Sequence, residues 1–206
     1  MEARRSFICV ITVLVTSLAA PAWAQGNNSV IVVIHDSAAV PPEILDAARA
    51  FAAAVFERAA VTVHWDANGG LGTACRPDRS QSVDDRFCVQ VLLRARNSAW
   101  TPAQRRVMGM ALAADNRRAV LSVYFDAVTD VARRYGVSPG QVLGIALAHE
   151  MGHVLLPPPS HSPNGIMQPS WEGDDLRHVI TGNASFTSDQ AAAMRGRLAH
   201  RKALAP

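Results

Sequence analysis

His149, Glu150 and His153 stand within five consecutive residues, HEMGH, of an otherwise apolar stretch. Two histidines four positions apart on a helix lie about 40° apart around its axis and one turn along it, so both imidazoles can reach one ion. Glu150, beside the first histidine, can reach a water on that ion. Two imidazole ligands and a carboxylate base are what metal-activated hydrolysis requires, and H-E-x-x-H on a helix has that pattern. The neighbours Val142, Leu143, Ile145, Ala146, Leu147, Ala148, Met151, Val154 and Leu155 are apolar almost all round the helix, which predicts that it is central and buried. Ionisable groups set into such a helix are costly to bury without a partner, and a metal ion is the simplest one.

A third ligand is expected from the chain that follows. Pro157, Pro158 and Pro159 must stop the helix, and His161 lies just beyond them, eight residues after His153, on chain free to fold back under the ion. Three histidines would leave the fourth tetrahedral position open to water. Glu172 is the competing third ligand, although Gly173, Asp174 and Asp175 beside it read as a solvated loop.

The stretch from His149 to Pro169, HEMGHVLLPPPSHSPNGIMQP, resembles the metzincin clan of zinc metallopeptidases, and most closely the matrixin type. Those proteins carry a HExGHxxGxxH segment and then a tight turn with a methionine beneath the zinc. The resemblance implies a secreted zinc-dependent endopeptidase in which His149, His153 and His161 hold Zn2+ and Glu150 is the general base. Met167, in the turn from Gly165 to Pro169, would then form an apolar floor. Three positions depart from the pattern: Leu156 stands where the family has a glycine, His161 comes two residues late, and Gln168 stands where some relatives have a tyrosine. A secreted zinc-binding protein without catalysis, its fourth position filled by a residue, is the alternative reading. A metal-free scaffold is the third.

The elements that must position these residues read as an α/β or α+β domain. Ser29 to His35 is a β-branched run that predicts a buried strand, and Pro41-Pro42 opens a helix to about Ala60. Val61 to Trp65 and Phe87 to Ala95 read as further strands, separated by a polar loop from Asp66 to Arg86. Val107 to Ala113 and Ala119 to Phe125 read as strands joined at Asp115-Asn116, and Asp126 to Tyr135 as a helix capped by Gly136. Ser138-Pro139-Gly140-Gln141 predicts a capped helix start, and Thr187 to Gln190 a second capping box opening a helix to about Lys202. The order suits a metzincin-like twisted mixed sheet with packed helices, and a cleft between the sheet and the stretch from Pro157 to Phe186.

At 206 residues the chain suits one domain, and 49% apolar residues place it with compact folds. Arg4 and Arg5 precede an apolar run from Phe7 to Ala20 and then Pro21 and Ala22-Trp23-Ala24, the layout of a signal peptide. Residues 1–24 are therefore expected to be removed, leaving 25–206 as a secreted or periplasmic catalytic domain without a stable membrane anchor. In an exported chain Cys75 and Cys88 suit one disulfide. The net charge of +3 falls to +2 without the leader, too little to argue for nucleic acid. A peptide or protein substrate and a monomer are the expected partner and state.

Overall fold

The computed structural model describes residues 28–66, 87–101, 104–115 and 117–199. The expected signal segment, Cys75 and all but the first residue of the polar loop expected from Asp66 to Arg86 lie outside them. Among the described residues, no helix is long and apolar enough to cross a membrane.

The β-branched run forms β1 (Ser29–Asp36), in which Val30, Val32 and Ile34 face one side of the sheet and Ile31 and Val33 the other, all buried. Strand alternation of this kind, apolar on both faces, is what a strand inside a parallel sheet requires. It is flanked by β2 (Thr62–Asp66) and β3 (Phe87–Arg94), both parallel to it, with Val30 opposite Val63 on one side and Phe87 on the other. β3 pairs in parallel with β5 (Arg118–Tyr124), and β5 antiparallel with β4 (Gly109–Ala114). The resulting order, β2-β1-β3-β5-β4, puts β4 at an edge. The protein is thus a mixed α/β fold, with a five-stranded, mostly parallel sheet and five α-helices among the described residues.

α1 (Pro42–Arg58) and α3 (Pro139–Leu155) pack against each other and contribute to one core with Val30, Val32, Val89, Val91, Leu121 and Val123. α2 (Phe125–Tyr135) leads from β5 to α3 and ends at Gly136, in the left-handed conformation that closes a helix. α3 is buried from Val142 to Met151, as its apolar surround predicts. α5 (Ser188–Ala199) opens with the expected capping box: the Thr187 amide donates to the Gln190 side chain at 3.0 Å, and the Gln190 amide to Thr187 Oγ1 at 3.2 Å.

Two expectations are corrected. Ser138 occupies the cap position of α3, yet its side chain makes no capping hydrogen bond. Pro139 has no amide proton, so one donor that would need a cap is already gone. Gly173, Asp174 and Asp175 are not a loop but the first turn of α4 (Gly173–His178), which runs on into a single wide turn, Val179–Asn183. The two aspartates suit the positive end of a helix, and buried Leu176 and Val179, three apart, anchor it.

Candidate metal centre and its cleft

α3 fixes the two helical histidines by its regular spacing, and the chain beyond it supplies everything else. Leu156 leaves the helix in an extended conformation, φ −96° and ψ 150°, with its side chain buried. An extended exit needs no left-handed residue, which explains why leucine is tolerated where a glycine turn was the expectation. The three prolines then carry the chain round, and His161 returns to the helix. Ligand nitrogens of His149, His153 and His161 lie within 4.8 Å of one another, close enough to hold a metal ion. Glu172 is exposed, lines the same cleft and is not part of that group.

Each helical imidazole is oriented by a partner on its far nitrogen. His149 Nδ1–H donates to the Ile166 carbonyl at 2.8 Å, and His153 Nδ1 is hydrogen-bonded to Ser160 Oγ at 2.6 Å. The two Nε2 atoms are thereby turned toward each other, 3.0 Å apart. A tetrahedral ion with nitrogen ligands at about 2.0–2.1 Å would set them roughly 3.3 Å apart, so little movement is needed. Burial pulls the His149 imidazole down to about 4, against the opposing Ile166 bond, and burial also lowers His153. Neutral imidazoles are the ligand form.

The Met167 turn holds this arrangement from beneath. Met167 is fully buried, and a Cβ at Gly152 would collide with its Sδ, so glycine at the third position after His149 lets the turn press against α3. The Ser162 amide donates to the Met167 carbonyl at 2.9 Å, tying the residue after His161 to the same turn. Gln190 Nε2 donates to the Ser160 carbonyl at 3.0 Å, so the start of α5 braces the residue that orients His153.

Glu150 points from α3 toward edge strand β4. The Ala111 amide donates to its carboxylate, but burial dominates and lifts the carboxyl to about 7. The approach is close: a Cβ on Gly109 would lie 2.5 Å from Glu150 Cγ. Trp171 stands edge-on to His149, ring centroids 5.0 Å apart, with its indole N–H unpartnered. Histidines, Glu150, Met108 to Ala111 and Trp171 all border one cleft of about 1110 Å³.

Sequence reasoning named His149, Glu150, His153 and His161, and the structure brings all four to this cleft. It missed Ser160, Trp171, Gly109 and the carbonyl of Ile166. Backbone partners leave no residue-type signal, whereas Ser160, between the prolines and His161, was available to it.

The chain matches no family model and no curated protein. What fold and site define together is an α/β protein with a three-histidine cluster able to hold a metal ion at the floor of a cleft.

Proposed function

We propose that the chain is a zinc-dependent endopeptidase of the metzincin kind, most like the matrixins, acting outside the cytoplasm once residues 1–24 are removed. The observation that carries this is the buried carboxyl of Glu150, next in sequence to a histidine of the metal cluster and facing the same cleft. A purely structural metal site has no use for a base there.

Three imidazole nitrogens fit zinc, a borderline-soft ion that takes nitrogen ligands tetrahedrally. Bound by His149, His153 and His161, zinc would supply Lewis acidity that lowers the pKa of water and polarises a carbonyl. β4 offers an edge to which an extended peptide can add as a strand, its backbone amides and carbonyls pairing with those of the edge. A peptide bound in this way would run along the cleft that Glu150 and the histidines line. Glu150 takes the proton of the attacking water on its carboxylate and returns it to the departing amine. The Ala111 amide steadies the ionised carboxylate in the first step.

The test is cleavage of a mixed peptide library by the purified mature chain. Internal peptide bonds are expected to be cut, the chelated protein to be inactive, and zinc to restore it. A zinc-loaded protein that cuts nothing would leave the non-catalytic zinc-binding reading in its place.

A further inference from the structure

We propose that the cleft selects peptides with acidic side chains near the bond to be cut, through Arg106 and Arg134. This rests on the peptidase reading above. The cleft extends along α3 toward its N-terminal end, past Ala146, one turn before Glu150, to a wall made by α2. That wall presents apolar Val131 and, one turn on, Arg134. Arg106, which also lines the cleft, ends the single turn before β4. It lies three residues before Gly109, which bears on Glu150, so at most about 11 Å of backbone separates the two.

The charges along the cleft do not cancel. Arg96 and Asp130 both line it, but they are joined at 2.5 Å, Arg96 also holds Asp126 at 2.8 Å, and Asp130 also holds Arg133 at 3.2 Å. Among the described residues Arg106 and Arg134 have no ion pair, and both are exposed. Glu172 is the one lining carboxylate, apart from Glu150, that is likewise unpaired. Glu150 is buried on α3, so the exposed, unpaired charge along the cleft is two guanidinium groups against the one carboxylate of Glu172, which makes the cleft attractive to anions. A cation in the last turn of α2 also suits the helix dipole, but Arg133 meets that need while pairing with Asp130, and Arg134 alone of the two lines the cleft.

The experiment uses matched fluorogenic peptides of one cleavable core, differing only in whether the flanking residues are Glu, Gln or Lys. The zinc-loaded protein is expected to show kcat/KM falling in the order Glu, Gln, Lys, by roughly three- to tenfold per step. The differences should shrink in 1 M salt, where the screening length drops to about 3 Å. The double variant Arg106→Glu, Arg134→Glu should reverse the order, and each single variant should narrow it. Hydrolysis with no charge order, or an order the variants leave unaltered, overturns the inference alone. No hydrolysis of any peptide overturns the peptidase reading and this inference together.

Discussion

The Nδ1–H of His149 donates to the carbonyl of Ile166 at 2.8 Å, so the residue before Met167 decides which nitrogen His149 turns toward a metal. Packing of Met167 beneath Gly152 holds that carbonyl in place. Met167→Ala removes a fully buried side chain and is expected to cost about 2–5 kcal/mol in urea unfolding, with weaker metal binding. Met167→Leu, nearly equal in volume, should cost less than about 1.5 kcal/mol. Equal stability and metal affinity in Met167→Ala and wild type would show that the turn does not support the site.

Ser160 is the only side chain bonded to the outer nitrogen of His153 among the described residues. Such partners of metal-binding histidines are typically worth about 10–100-fold in metal affinity. Ser160→Ala should therefore lose zinc to a competing chelator at a correspondingly lower chelator concentration, while Ser160→Thr, which keeps the hydroxyl, should stay near wild type. Identical competition curves for all three proteins would count against the bond.

Gly109 has no room for a side chain beside Glu150. Gly109→Ala is expected to displace the carboxylate and slow peptide hydrolysis by roughly 100-fold, the scale of lost general-base catalysis. Its metal content, measured by atomic absorption, should not change, because no ligand is touched. A fully active Gly109→Ala protein would mean that Glu150 has another resting place.

The ion-pair group at Arg96 gives the fold an acid limit. Burial alone would raise Asp126, but the bonds from the Arg96 side chain and amide outweigh it and lower the carboxyl; Asp130 is lowered first by its own bond to Arg96. A carboxyl depressed in the folded state stabilises above its unfolded pKa, about 3.9, and that contribution is lost as pH falls below it toward the folded value. Both aspartates are more than a third exposed, so the effect is modest. Melting temperature followed from pH 6 downward should fall more steeply below about pH 4 in wild type than in Arg96→Gln. Parallel curves would show that the ion-pair group does not set the acid limit.

How much of this was legible in the sequence depends on what kind of signal each feature leaves. The β-branched run at Val30 to Ile34 and the apolar surround of His149 gave strand and helix through composition and period, and four site residues followed from spacing. α4 was hidden because Asp174 and Asp175 look like loop residues, although Leu176, Val179 and Ile180 stand at helical spacing. Leu156 departs from the family's glycine, and its extended exit from α3 could not be read from the residue, because backbone φ and ψ are invisible in residue type unless glycine is obligatory. The pairing expected of Cys75 with Cys88 falls outside the described residues at Cys75.

Under the proposed function Glu150 moves a proton for an ion held by three histidines, and one variant separates holding from moving. Glu150→Gln has nearly the same shape but cannot accept the proton. Zinc content and peptide hydrolysis should be measured on the same preparation of this variant and wild type. About one zinc per chain is expected in both proteins, and hydrolysis only in wild type. Hydrolysis at the wild-type rate by the zinc-loaded Gln variant would contradict this role of Glu150.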